Sequence, residues 1–428
     1  MTSGNLLLTE IGELWTCEGP APLRGASLSQ LRMSDADAVA IADGKVLALG
    51  RTKDLRNRFD FLEFSVERRL VTPGLIDPHT HTVFAGHRGD EFAMRCRGAT
   101  YAEIAAAGGG IRKTVEQTRR AALEDLLVIA RRRVGAMVAT GTTTLEIKTG
   151  YGLNRDTEMK MLDVLSALSK EAPVEVIPTF MGAHIPDPDR DADSYVQDLV
   201  DNLIPMAAQH PAAPRFNDVF CDEGAFDLDQ TRTILEAGLR YFLQPKVHAE
   251  EFAHTGAAML AAELEAASAD HLLQATEDDI EALAASNTTA VLLPGTCFYL
   301  NLPHSAPARK MIEAGCIIAL GTDFNPGSCN ISSLHFVMGL ACLRLGLTPA
   351  EALGAATVNA SAAIGLEGTH GQLAPGYWGD AVVWDCHSLD ELIGRFARAI
   401  SATVIKRGVF VPSESTTGPS INGSRQSR

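Results

Sequence analysis

Two histidines separated by one residue follow an apolar segment near the start of the chain. His79 and His81 belong to the stretch LIDPHTHTVFAGHR at residues 75–88. In an extended segment, residues i and i+2 point to the same face, so both imidazoles would aim at one point. Two converging neutral imidazoles are half of a site for zinc, iron or nickel. Alone, the pair is more typical of a surface strand, so a metal site requires ligands from distant parts of the sequence.

Two later motifs could supply those ligands. His248 follows an apolar segment in KVHAEEF and precedes Glu251 by three residues, and Asp323 follows another apolar segment in ALGTDFNPGS. Taken singly, each residue has an equally typical structural interpretation. His248 could be a buried core histidine, Glu251 could belong to a helix start, and Asp323 could begin an Asx turn. Taken with His79 and His81, they form a set of three imidazoles and one carboxylate that suits zinc or iron. Such a set leaves a position for water, as catalytic metal sites do.

Three further motifs place polar side chains beside apolar segments. Asp270 and His271 are predicted to open a short strand in SADHLL, and His184 follows a strand in PTFMGAH. Tyr151 lies between two glycines in KTGYG, where the backbone could approach a ligand closely. Taken alone, each of these motifs is about as typical of a purely structural role as of a functional one.

The elements that must position these residues alternate between strands and helices. Candidate strands end in LIDPHTHT, TTTLEIKTGYG, VEVIPTFMGAH, NDVFCDEGAF, LQPKVHAEEF, ASADHLL, TAVLLPGT and IIALGTDFNPGS, with predicted helices over residues 123–138, 156–170 and 255–267. Eight such units in roughly 300 residues favour an α/β fold of the (β/α)8 TIM-barrel type over a doubly wound sheet. Because active sites of these barrels lie where the strands end, the polar motifs would meet there.

Both ends of the chain consist of short strands instead. AVAIADGKVLALGR has a hairpin signal at Asp43-Gly44, and GDAVVWDC and ATVIKRGVFV are typical of short strands near the C-terminus. We therefore predict that residues 1–70 and 370–412 form one composite β-sandwich around a catalytic barrel domain of residues 71–369. The Ser-, Thr- and Gly-rich residues 413–428 are predicted to be a disordered tail.

Composition limits the class of protein. The 428 residues carry a formal net charge of −16, which argues against non-specific nucleic-acid binding but allows a small anionic substrate beside a local arginine. The eight cysteines contain no C-x-x-C pair, so reduced thiols and a cytoplasmic location are expected. The first residues have no basic segment typical of a secretion signal, and no apolar run reaches the ~18 residues of a membrane span.

These motifs together resemble the amidohydrolase superfamily. The resemblance rests on PGLIDPHTH, on histidines at the fifth and sixth strands and on GTDFNP at the eighth, and it covers residues 71 to about 365. Within the superfamily the chain resembles the imidazolonepropionase family, on the stretches HTHTVFAGHRGDEFAMRCRGATYAEIAAAGGGI, TTTLEIKTGYGL, FMGAHIPD, VHAEEF and GTDFNPGS. That resemblance implies metal-dependent hydrolysis of the cyclic amide of 4-imidazolone-5-propanoate to N-formimidoyl-L-glutamate in histidine degradation.

The resemblance also implies a metal centre and catalytic groups. His79, His81, His248 and Asp323 would be the ligands. Relatives with two metals carry a bridging lysine on the fourth strand, which here is NDVFCDEGAF without lysine, while Lys148 lies on the second. We therefore expect one zinc or iron ion per chain. The catalytic residues would be His271, which activates water or polarises the carbonyl, Glu251, which holds ring nitrogens and moves a proton, and Asp323.

A substrate with a carboxylate arm needs a cationic partner. Arg88 follows His81 by seven residues, and its planar guanidinium suits a carboxylate. By resemblance, the other substrate-binding residues would be Tyr151, His184, Glu251, Asn325, Gly327 and Ser328. The family suggests a homodimer, and no nucleic-acid or membrane partner is expected.

Two alternatives stay open. HAEE also resembles the H-A-x-E motif of enzymes that deaminate nitrogen heterocycles, although a neutral heterocycle would not need Arg88. The other alternative is a non-catalytic relative acting as a scaffold. Such relatives lose metal ligands, whereas this chain retains all four.

Overall fold

Eight parallel strands form the central sheet of the computed structural model, which describes residues 5–99, 103–104, 107–187, 189–398, 400 and 402–412. The strands are neighbours in chain order: Leu75–Asp77, Thr142–Lys148, Glu175–Ala183, Phe216–Cys221, Gln244–Ala249, Ser268–His271, Thr289–Leu292 and Ile317–Leu320. The residues after the eighth strand pair with those after the first, because His81 N–H donates to the Phe324 carbonyl at 2.9 Å and Asp323 N–H to the His79 carbonyl at 3.0 Å. The predicted (β/α)8 barrel is confirmed.

Helices separate the barrel strands. The α-helices whose bounds lie within the described residues are Thr52–Arg58, Gly89–Cys96, Ile111–Arg120, Leu123–Val138, Arg155–Glu171, Ala192–Asp198, Ile204–Ala208, Leu228–Leu239, Ala257–Glu263, Glu277–Ala285, Pro294–Tyr299, Ala308–Ala314, Leu334–Arg344, Pro349–Ala355, Val358–Ala362 and Leu389–Gly394, with a 3-10 helix at Gly25–Gln30 and a π-helical turn at Leu199–Leu203. Their apolar faces and the outward faces of the strands form one large buried core. Among the described helices, none is long and apolar enough to span a membrane.

Two smaller sheets lie outside the barrel. One contains the strands Leu6–Thr9, Ala38–Ala42, Lys45–Gly50 and Leu62–Ser65. The other mixes both ends of the chain: Glu13–Leu14, Leu70–Pro73, Ala381–Trp384, Ala402–Lys406 and Val409–Phe410. A shared core that includes Leu8, Ile41, Val71, Val383 and Ile405 joins the two sheets. The composite arrangement follows from strand pairing between Leu70–Pro73 and Ala381–Trp384, which lie more than 300 residues apart.

Local predictions differ from the structure in two places. The helix expected over residues 255–267 spans only Ala257–Glu263, because the chain must turn before the sixth barrel strand. Asp270 and His271 end that strand instead of opening it, so their side chains belong to its carboxyl end. The expected tail at residues 413–428 lies outside the described residues. The domain boundaries near residues 70, 369 and 412 stay predictions.

Candidate active site

The carboxyl ends of the barrel strands surround a cavity of about 570 Å³. Of the twelve residues predicted for the site, His79 lies fully buried beneath the cavity. The other eleven line it: His81, Arg88, Tyr151, His184, His248, Glu251, His271, Asp323, Asn325, Gly327 and Ser328. Residues from distant parts of the sequence thus meet because parallel strands all end at one side of the barrel.

Four side-chain atoms converge at the base of this cavity. The Asp323 Oδ1 atom lies 3.5 Å from His79 Nε2 and 3.6 Å from His81 Nε2, and His248 Nε2 lies 3.4 Å from His81 Nε2. Ligand bonds of about 2.0–2.2 Å in a tetrahedron put neighbouring ligand atoms about 3.3–3.6 Å apart. His79 Nε2 is buried and, within the described residues, lacks a hydrogen-bond partner. The donor set therefore fits a metal ion such as zinc or iron.

The electrostatics of this donor set also favour a cation. Burial, together with neighbouring cationic groups, holds the pKa of His79 and of His81 well below the ordinary value, so both imidazoles are neutral. Burial raises the pKa of Asp323 to about 6, while a hydrogen bond of 2.6 Å from Thr296 Oγ1 to its Oδ2 opposes the shift. A bound cation would compensate the negative charge of this buried carboxylate.

The opposite nitrogens of two histidines are held by aspartates. His79 Nδ1 lies 2.6 Å from Asp270 Oδ2, and His248 Nδ1 lies 3.1 Å from Asp218 Oδ1. An ionised carboxylate can only accept, so each Nδ1 carries the proton and donates it. The Nε2 atoms of both rings are then unprotonated and available to a metal.

Glu251 and His271 face each other across the cavity from the fifth and sixth strand ends. Their Oε2 and Nε2 atoms are 3.6 Å apart, and both side chains are buried. Burial, and next the charges of Asp323 and Asp222, raise the pKa of Glu251 well above its ordinary value, which favours the protonated form. Burial lowers the pKa of His271 well below its usual value. Burial therefore favours the uncharged forms of both side chains, a carboxylic acid and a neutral imidazole.

His184 and Tyr151 form one wall beside the donor set. The His184 ring stacks on His81 with centroids 5.0 Å apart, and its Nδ1 lies 3.1 Å from the Gly150 carbonyl. Burial lowers the pKa of His184 to about 3, so the ring is neutral. The Tyr151 ring lies 5.2 Å from His184 and is 3 % exposed. This wall offers neutral hydrogen-bonding groups rather than charges.

Arg88 and the turn after Asp323 form the opposite wall. Arg88 Nε donates to Glu91 Oε2 at 2.8 Å, and its terminal NH1 approaches the turn so closely that a Cβ at position 327 would lie 1.9 Å from it. A side chain at position 327 would therefore displace the Arg88 guanidinium from this place. Asn325 Oδ1 accepts the backbone N–H groups of Gly327 and Ser328 at 2.8 and 2.7 Å. The Asn325 amide thus builds the turn that brings Ser328 and Arg88 to the cavity.

Several lining residues were missed from the sequence. Glu91 is buried against Arg88, and Arg95 Nη2 donates to the Gly327 carbonyl at 3.2 Å. The spacing of three between Arg88 and Glu91 on a helix start is a signal that could have found the pair. The apolar part of the lining has no comparable sequence signal and comes from several different segments: Ile104, Ile111, Ile185, Phe220, Phe252, Leu300 and Leu302.

Relatives of known name resemble this chain over nearly its full length. It is 42% identical to an imidazolonepropionase from Symbiobacterium thermophilum over 96% of this chain and 98% of that protein. It is 44% identical to an imidazolonepropionase from Geobacillus kaustophilus over 91% of this chain and 93% of that protein.

A family model also matches the chain, and solved structures share its fold. The model of the amidohydrolase family matches residues 222–411. Among solved structures, a 5-methylcytosine deaminase from Klebsiella pneumoniae shares the fold, with a TM-score of 0.72 at 14% identity over 96% of this chain and 98% of that one. The chain therefore belongs to the imidazolonepropionase family of amidohydrolases and is a hydrolytic enzyme.

Proposed function

We propose that this enzyme hydrolyses the ring amide of 4-imidazolone-5-propanoate to N-formimidoyl-L-glutamate, the ring-opening step of histidine degradation. The observation that carries the proposal is one cavity lined by His81, His248 and Asp323 of the donor set, with His79 buried beneath them, and also by the arginine Arg88. A reaction centre and a carboxylate-binding group are both needed for a substrate with a propionate arm.

His79, His81, His248 and Asp323 would hold one zinc or iron ion. When bound, such an ion supplies Lewis-acid activation of water and of a carbonyl oxygen. Neutral imidazoles and one carboxylate accept either metal, so the residues favour neither ion. His81→Ala is expected to lose metal and activity together while the barrel remains folded. Elemental analysis should find about one equivalent in the wild type, and two equivalents, or none in active enzyme, would overturn the assignment.

The remaining side chains bind the substrate and move protons. Arg88 binds the propionate carboxylate, the turn at Asn325, Gly327 and Ser328 holds polar atoms beside it, and Tyr151 and His184 line the ring pocket. Water adds its oxygen to the ring carbonyl carbon and gives a proton to Asp323, while His271 polarises the carbonyl. The carbon–nitrogen bond then breaks, and Glu251 delivers a proton to the leaving ring nitrogen. After the product leaves, the proton held by Asp323 passes to Glu251, and both groups return to their starting protonation states.

We also propose that the enzyme is cytoplasmic and forms a homodimer. All eight cysteines are free thiols, which suits a reducing cytoplasm. The family resemblance supports a homodimer, and light scattering of the purified protein would measure the mass.

An ultraviolet assay tests the reaction directly. The purified enzyme should consume imidazolonepropionate, and mass spectrometry should find N-formimidoyl-L-glutamate. A panel of nitrogen heterocycles should release no ammonia in parallel reactions. Ammonia release from the panel without imidazolone turnover would instead identify a deaminase.

A further inference from the structure

A lysine lies fully buried at the end of the second barrel strand, beneath the donor set. The Lys148 ammonium is 2.7 Å from Asp218 Oδ2, 2.8 Å from Glu146 Oε1 and 3.8 Å from Asp270 Oδ2. All four side chains are fully buried. Buried charges without partners cost several kcal/mol each, so the ammonium and the three carboxylates depend on one another.

Each of the two aspartates also contacts a histidine of the donor set. Asp218 lies against His248 Nδ1 and Asp270 against His79 Nδ1, at 3.1 and 2.6 Å. The lysine thus stands between two carboxylates that hold the far side of two imidazoles. Like charges this close repel, and the ammonium between them opposes that repulsion.

A third connection leads to the backbone between His79 and His81. Thr80 N–H donates to Glu146 Oε2 at 3.3 Å, and Lys148 N–H donates to the Thr80 carbonyl at 2.9 Å. Lys148 and its partner Glu146 are therefore connected through intervening groups to three of the four proposed ligands, His79, His81 and His248.

We propose that Lys148 is a positioning residue for the metal centre, acting through Asp218 and Asp270 to fix the Nδ1–H tautomer and the ring orientation of His248 and His79. This inference rests on the proposed metal site. It does not make Lys148 a ligand, because its ammonium is surrounded by carboxylates. Groups that orient metal-binding histidines typically change metal affinity by about 10–100-fold when they are replaced.

The chain offers a matched control in a second buried lysine. Lys246 is fully buried on the fifth barrel strand, and its ammonium donates to the backbone carbonyls of Ala363 and Pro78 at 3.1 and 3.4 Å. Removing its charge tests the effect of losing a buried lysine from the barrel while the close ion pairs of Lys148 with Asp218 and Asp270 stay intact.

The test measures zinc binding rather than turnover. Wild type, Lys148→Met and Lys246→Met are stripped of metal, and zinc affinity is measured by competition with a chromophoric chelator. Lys148→Met should bind zinc about 10–100-fold more weakly, whereas Lys246→Met should match the wild type. Nitrogen-15 spectra of histidine-labelled protein should show one tautomer for His79 and His248 in the stripped wild type and a mixture in Lys148→Met.

A second variant covers the case in which Lys148→Met does not fold. Asp270→Asn preserves side-chain volume but offers His79 Nδ1 an amide, so zinc affinity should again fall by about 10-fold or more. If wild type binds zinc while the folded variants bind it equally well with unchanged tautomers, the positioning role is wrong and the metal centre stands. If wild type itself binds no zinc, the proposed metal centre is wrong.

Discussion

At the scale of single residues, the guanidinium of Arg88 is shared between the protein and the proposed substrate. Its Nε and Nη2 atoms both lie 2.8 Å from Glu91 Oε2, while Glu91 Oε1 accepts the Gly110 N–H at 3.0 Å. One buried carboxylate therefore orients the arginine and ties it to the glycine turn at residues 108–110. The remaining N–H groups of Arg88 are available to a carboxylate in the cavity.

Replacing Arg88 should impair recognition of the propionate arm. Arg88→Ala should lower kcat/KM by about 10–100-fold, since a hydrogen bond to a charged group contributes roughly 1.5–3 kcal/mol. Arg88→Lys should recover only part of the loss, because a point charge cannot reproduce the planar fork. Glu91→Gln should cause a smaller loss in the same direction.

A substrate analogue separates carboxylate recognition from general damage. An analogue with a neutral amide in place of the carboxylate should be a poor substrate for the wild type, and Arg88→Ala should lose little more with it. Equal turnover of both compounds by the wild type would show that the enzyme does not recognise the carboxylate.

Glu251 and His271 should affect the chemical step. Glu251→Gln and His271→Ala should each lower kcat by roughly 10²-fold or more while metal content is retained. Because the raised pKa of Glu251 favours its protonated form, activity of the wild type should fall as pH rises through that pKa and the proton is lost. Steady-state kinetics across pH would check this, and near-normal turnover in either variant would assign that residue a structural role.

At the scale of elements, the barrel could be predicted because each strand is an apolar run followed by polar residues. The helix Leu123–Val138 matches its predicted bounds, since its ends coincide with changes in hydrophobic periodicity. The sixth strand was placed less well because its four residues are too short for a periodic signal. The network around Lys148 was not predicted, since it depends on side chains that meet across different strands.

Contacts between elements also explain a glycine that no motif identified. Gly141 precedes the second barrel strand with φ of 96°, and a Cβ there would lie 2.4 Å from the Trp384 ring. Trp384 is buried on the mixed sheet, where its Nε1 donates to Thr72 Oγ1 at 2.9 Å. The glycine therefore allows the mixed sheet to pack against the barrel.

Gly141→Ala should destabilise the protein without altering the metal site. Overpacking costs typically about 1–3 kcal/mol, and the positive φ adds strain. Gly315→Ala is a matched control, because Gly315 has φ of 100° but open space at the Cβ position. Urea unfolding should show a larger loss for Gly141→Ala, and equal losses would mean that backbone conformation alone matters.

At the scale of the whole molecule, an ionic cluster connects the barrel to the C-terminal part of the chain. Glu175 begins the third barrel strand, and its Oε2 lies 3.0 Å from His370 Nε2, 2.8 Å from Arg407 Nη2 and 3.5 Å from Lys406 Nζ. Although burial opposes the shift, these partners lower the pKa of Glu175 to about 2. The carboxylate therefore stabilises the folded state by its interactions with segments from the end of the sequence.

Glu175→Gln should reveal this contribution as a pH-dependent loss of stability. The folded-state pKa of about 2 lies below the ordinary value of 4.5, so the stabilisation is complete above about pH 4.5 and is lost as pH falls towards 2. At pH 7 the variant should be less stable than the wild type by about 2 kcal/mol, and the difference should shrink below pH 4.5. Urea unfolding between pH 7 and pH 3 measures it, and a constant difference would mean that the charge of Glu175 is not what stabilises the contact. The residue is nine positions from His184 along an extended strand, or about 30 Å, so kcat at 25 °C should be unchanged.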